Sequence, residues 1–91
     1  MINMKMETKQ PLWFLKKYEK SGDYPVHVYK LENVRVEDLQ RMFNEPSHNP
    51  MYDCYPVTES QAEWLQDFIK DKIDLQSYDY YIECEVNTWI P

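Results

Sequence analysis

The sequence predicts a small α+β domain: a four-stranded antiparallel sheet with two short helices. Three observations carry this. From Tyr80 to Val86 the chain alternates, with Tyr80, Ile82, Cys84 and Val86 pointing one way and Tyr81, Glu83 and Glu85 the other, as in a strand with one face buried and one face wet. Thr58 is followed by Gln61 at capping-box spacing, with Val57 and Ala62 placed as a hydrophobic staple, so a helix starts at Glu59. The chain has 91 residues, enough for one core and one domain.

In chain order, Met1 to Gln10 is polar and closed by Pro11, the pattern of a flexible tail at residues 1–10 ahead of a single domain at 11–91. Leu12 to Leu15 is a short apolar and aromatic run, hence a strand. Lys16 to Lys20 turn polar, Ser21-Gly22-Asp23 holds the chain's only glycine, and Tyr24 to Leu31 resumes with Val26 and Val28. The pair reads as a hairpin turning at the glycine, where positive φ is cheap. Leu39, Met42 and Phe43 space out a short helix over 36–43, with Glu37 and Asp38 early and Arg41 late, as the helix dipole favours. The proline-bracketed segment 45–50 is a loop. Met51 to Val57 returns to strand character until Pro56 stops it.

In the helix after Thr58, Ala62, Leu65, Phe68 and Ile69 fall on one apolar stripe, the mark of a face packed on a core. Opposite lie Glu59, Glu63, Asp67 and Asp71, spaced so that neighbours repel by a few tenths of a kcal/mol per pair. Such a ridge is either an ordinary solvated face or an anionic surface kept for a cationic partner. Ile73 to Leu75 then leads into the last strand, and Trp89 and Ile90 either extend that strand or pack over an edge.

The charge is −6, from 10 basic and 16 acidic residues. Coulomb repulsion makes nucleic acid and anionic membranes poor partners and a basic protein a good one. The asymmetry is strong: residues 1–52 hold 8 Lys/Arg and 7 Asp/Glu, and residues 53–91 hold 2 and 9. The electrostatic face therefore belongs to the C-terminal part. The N-terminus has no apolar stretch of the secretory kind, so the expected setting is cytoplasmic, with Cys54 and Cys84 as free thiols. No apolar run approaches membrane-spanning length.

Catalytic and metal readings find little support in the residues. Cys54, Cys84, His27 and His48 lack the short paired spacing of a zinc site, so no metal or other cofactor is expected. His48 sits in the proline loop with no nucleophile tied to it, as a solvated histidine would. Glu83 and Glu85 have the look of a glycosidase carboxylate pair, but no neighbour would raise one pKa as that chemistry needs. With no phosphate loop either, the chain reads as a binding module and not as an enzyme. No small-molecule ligand is expected.

From Cys54 to Glu85 the chain resembles the immunity proteins of cytotoxic ribonuclease bacteriocins of the cloacin and colicin type. In that family a Cys precedes an aromatic residue, an acidic helix ends in Leu-Gln, and an Ile-Asp-Ile segment leads to a Glu-Tyr-Phe-Val strand. Here those places hold Cys54-Tyr55, Leu65-Gln66, Ile73-Asp74-Leu75 and Asp79-Tyr80-Tyr81-Ile82, at the same spacing throughout. Trp13-Phe14 matches a Trp-Phe pair in the family's first strand, and the match weakens between the hairpin and Pro50. The resemblance implies a four-stranded antiparallel sheet that binds the basic nuclease domain of a cognate toxin. Its contacts carry over to Cys54 and Tyr81, with Phe14 as a third, and we place Asp53 beside them. Glu83 and Glu85 join from the strand alternation, and Glu59, Glu63 and Asp67 form a second, ridge-like candidate surface. The expected function is that of an antitoxin, in a bacteriocin or a contact-dependent inhibition system. The alternative is a small acidic regulatory or structural interaction domain with no toxin partner.

Overall fold

The structure is a computed structural model and describes residues 10–87. Of the tail expected over 1–10, residues 1–9 lie outside these residues, as do the placing of Trp89 and Ile90 and the side chain of Val86, whereas Gln10 is already in the first strand, paired with Asn87. Strand β1 (Gln10–Glu19) and β2 (Pro25–Lys30) form a hairpin, followed by helix α1 (Val36–Met42), strand β3 (Tyr55–Pro56), helix α2 (Glu59–Leu65) and strand β4 (Tyr78–Asn87). The order is the expected one, and the sheet is four-stranded and antiparallel, β2-β1-β4-β3. Among the described residues no helix is long and apolar enough to cross a membrane.

One face of the sheet builds the core. Trp13 and Leu15 of β1 and Tyr80 and Ile82 of β4 are buried against Leu31, Val34, Leu39, Met51, Val57 and Leu65. The alternation of β4 is therefore seated as expected for Tyr80 and Ile82. Thr58 N–H donates to Gln61 Oε1 at 2.7 Å, which closes the reciprocal arm of the capping box, and Val57 and Ala62 both pack on the core.

Several expectations need correction. Strand β1 does not fade at Lys16 but runs to Glu19, because it pairs along its whole length with β4. Lys17 is accommodated there with its Nζ 4.1 Å from the centre of the Tyr78 ring, a cation–π contact. In the hairpin turn the positive φ belongs to Ser21 (62°) and not to Gly22. Gly22 is needed for proximity instead: its N–H donates to the Glu19 carbonyl at 2.8 Å, and a Cβ would stand only 3.0 Å from that oxygen.

Only Tyr55 and Pro56 of the segment expected as a strand over 51–57 join the sheet. Met51 is diverted into the left-handed region (φ 61°), uncommon for a residue with a long side chain. It is held there by burial of its side chain, by its N–H donating to Asn49 Oδ1 at 2.8 Å and by its carbonyl accepting from Trp13 Nε1 at 2.7 Å. The buried Gln40 ties down the same loop, donating to the carbonyls of Ser47 and Asn49 at 3.1 and 2.6 Å.

Helix α2 is also shorter than its apolar stripe suggests. It stops at Leu65 and passes into a 3₁₀ turn, Gln66–Phe68. The Gln66 side chain captures the chain beyond, donating to the Asp71 carbonyl at 2.8 Å and accepting from Ile73 N–H at 2.9 Å. Tightening from 3.6 to 3.0 residues per turn shifts the phase. Phe68 consequently misses the core, stays 37 % exposed and stacks on Trp64 at 4.5 Å between centroids.

Candidate functional site

The second face of the sheet bears the candidate site, and among the described residues no helix lies on it. Facing partners across the central strands share a side, and the register places Leu12 opposite Glu85, Phe14 opposite Glu83, Lys16 opposite Tyr81 and Tyr18 opposite Asp79. On β3, Pro56 faces Tyr81, and the Cys54 thiol just before it meets the Glu83 carboxylate. Five of the six expected contact residues, Phe14, Cys54, Tyr81, Glu83 and Glu85, thus converge on one uncovered surface. Asp53 is exposed on the loop leading into β3.

Glu83 is the hub. Its Oε2 accepts from the Tyr18 hydroxyl at 2.5 Å and its Oε1 meets Lys16 Nζ at 3.1 Å. The same ammonium reaches Glu85 Oε2 at 2.9 Å, and the Tyr18 and Tyr81 rings meet edge to face at 5.5 Å. Tyr81 and Glu83 are therefore half-buried, a correction to the reading of the whole outward row as free surface. Glu85 remains exposed.

Lys16 and Tyr18 complete this network and were not among the expected site residues. The signal was present: Phe14, Lys16 and Tyr18 continue the period-two alternation of Trp13 and Leu15, but a basic run after an apolar one looks like the end of a strand.

The contacts bias each group toward one protonation state. Burial pushes the Glu83 carboxyl up, but the bonds from Tyr18 and Lys16 outweigh it and hold its pKa below the ordinary value. The bond to Glu83, followed by burial, pushes the Tyr18 phenol up to about 12. Burial, then the Glu83 charge, raises the Cys54 thiol, and the bond to Glu85 heads the causes that raise Lys16. A carboxylate held ionised is unsuited to the general-acid role that a glycosidase pair requires. Such an arrangement suits recognition.

These directions predict a pH window. Glu83 has an ordinary value of 4.5 and a lower folded one, so the bonds it accepts support the fold above 4.5 and are lost as pH falls through the folded value. Tyr18 behaves in the opposite sense: its contribution is complete below the ordinary 10.0 and disappears as pH climbs toward about 12. Tyr29 is likewise pushed up to about 12, first by burial and then by its bond to Asp71, whose carboxylate lies 2.8 Å away. Tyrosinate absorbance should therefore show a late class of phenols near 12 that loses one member in Tyr18→Phe and one in Tyr29→Phe. An unchanged late class in Tyr18→Phe would mean that the Glu83 bond does not form.

The acidic ridge survives in shortened form. Glu59, Glu63 and Asp67 line a groove of about 580 Å³ together with Ile73, Asp74 and Leu75, whereas Asp71 leaves the ridge where the helix ends and turns to Tyr29. Glu59 also borders a second depression with Lys20, Pro56, Asp79 and Tyr81, so ridge and sheet face adjoin at the β3 edge. The two cysteines are free and occupy opposite faces, since Cys84 packs toward the core.

No curated protein and no solved structure matches the chain. One family model, described as "Domain of unknown function (DUF7683)", matches residues 12–83, from Leu12 within the core strand β1 to the hub Glu83, and the chain belongs to that family.

Proposed function

We propose that this protein is an immunity protein, an antitoxin that binds and neutralises the basic nuclease domain of a cognate secreted toxin. The toxin belongs to a bacteriocin or contact-dependent inhibition system, and its nuclease is a ribonuclease. One observation carries the reading: residues placed at the binding site by sequence resemblance and by strand alternation, from three separate strands or strand ends, meet on a single uncovered sheet face. The face combines aromatic anchors at Phe14, Tyr18 and Tyr81 with ionised carboxylates. That mixture of rigid rings and fixed charge is characteristic of protein-binding surfaces. The strongly acidic C-terminal part and the adjoining ridge favour a basic partner and speed its encounter. The protein acts by binding, without catalysis or cofactor, in the cytoplasm of the cell that makes the toxin.

The test is co-production with the nuclease domain encoded beside its gene, in a bacterial host that the nuclease kills. Growth should be restored and the two proteins should purify as one complex. Continued killing with no complex, while this protein accumulates folded, would overturn the proposal.

A further inference from the structure

Strand β2 is one edge of the sheet, and among the described residues its outer side is unguarded over most of its length. Leu31 N–H donates to the Trp13 carbonyl at 3.0 Å. In an antiparallel ladder this phase turns the N–H and C=O groups of every second residue inward, here Leu31, Tyr29 and His27. Val28 and Lys30 therefore direct theirs away from the sheet, as does the Val26 carbonyl, which lies opposite the His27 N–H on one peptide; Val26 is otherwise the residue that the register skips. Edge strands are normally blunted by charge, proline or a bulge. Here Pro25 and the irregularity between Lys17 and Tyr18 protect only the turn end. Tyr24, Val26 and Val28 are also 83, 50 and 44 % exposed, so apolar side chains and free backbone groups coincide along one rim.

The geometry points to a second copy of this chain as the occupant, its β2 pairing antiparallel with this one about a twofold axis at Val28. In that register Val28 faces Val28 of the other copy, Val26 faces Lys30, and His27 faces Tyr29. The two Val28 residues then exchange both of their bonds, and each Lys30 N–H reaches the Val26 carbonyl of the other copy. No like charges stand opposite each other, a juxtaposition that would oppose pairing. The charge distribution favours the same end of the molecule. Residues 53–91, with 9 acidic and 2 basic residues, supply β3, α2 and β4, whereas β2 belongs to the nearly neutral part. Two copies joined at β2 keep the carboxylates of β4 on the far sides of the joint, with Asp71 reaching β2 through Tyr29, in an isologous dimer with one continuous sheet.

Light scattering of the full chain from micromolar to millimolar concentration should show the mass doubling. Val28→Lys, which sets two ammonium groups against each other at the axis, should keep a folded circular dichroism spectrum and remain a monomer. The register is read separately by oxidation in a Cys54→Ser background. Val28→Cys should form a disulfide-linked dimer, since bonded cross-strand partners sit about 5.5 Å apart between Cα atoms, within disulfide reach. Val26→Cys alone should not, but mixed with Lys30→Cys it should. A monomer at every concentration would overturn the proposal and leave the edge to a strand of different sequence. Equal cross-linking of Val26→Cys and Val28→Cys would also overturn it.

Discussion

Replacing Ile82 with Ala is expected to lower the unfolding free energy by about 2–4 kcal/mol, the usual loss for a fully buried aliphatic side chain. Ile82 is wholly buried and stands in β4 between Leu15 of β1 and Tyr55 of β3. A cavity there is bounded by strands on both sides, which limits its collapse. Glu83, the next residue, supplies the contrast. On alternation alone it is a surface position, where truncation shifts stability by less than about 0.5 kcal/mol. Its bonds to Tyr18 and Lys16 raise the expected loss for Glu83→Ala to about 1 kcal/mol, still well short of that at Ile82. Denaturant titration of the two variants decides the matter, and equal losses would mean that the strand is inverted.

Tyr81→Ala should weaken binding of the proposed nuclease partner by about 2 kcal/mol, or about thirtyfold, mainly by faster dissociation, as central aromatic anchors do when truncated. Tyr81 is flanked by Lys16 and Pro56 and braced by Tyr18, so the partner meets a ring already in place. Charge should govern the other rate. Association should slow as salt rises, because steering is screened beyond about 8 Å at physiological ionic strength. Glu85→Lys is the suitable charge probe, since Glu85 is exposed. Glu83→Lys would place a second ammonium against Lys16 and disturb the face itself. Stopped-flow kinetics with the nuclease domain provide the measurement. Salt-independent association together with unchanged dissociation in Tyr81→Ala would remove this face as the docking surface.

How much of this could be read from the sequence depended on whether the deciding contact was local. The capping box at Thr58 and Gln61, the alternation at Tyr80 to Ile82 and the order of elements all rest on near neighbours, and all were legible. The end of α2 was not, because the Gln66 side chain that stops it bonds to residues beyond the stripe. Strand β1 was read as ending at Lys16 because its second half is held by β4, more than sixty residues away, as the Tyr18 to Glu83 separation of 65 illustrates. The same distance concealed Lys16 and Tyr18 as site residues. Local spacing cannot show that a lysine in one strand will be neutralised by two glutamates in another.

The bonding of Glu83 also bears on the entropy of association for any protein that docks on this face. Immobilising a flexible side chain at an interface costs about 0.5–1.5 kcal/mol. Lys16, Tyr18, Tyr81 and Glu83 are already immobilised by one another, on the two central strands of the sheet. Much of that ordering is thus completed when the chain folds, and an incoming partner finds a surface whose freedom has largely been spent beforehand.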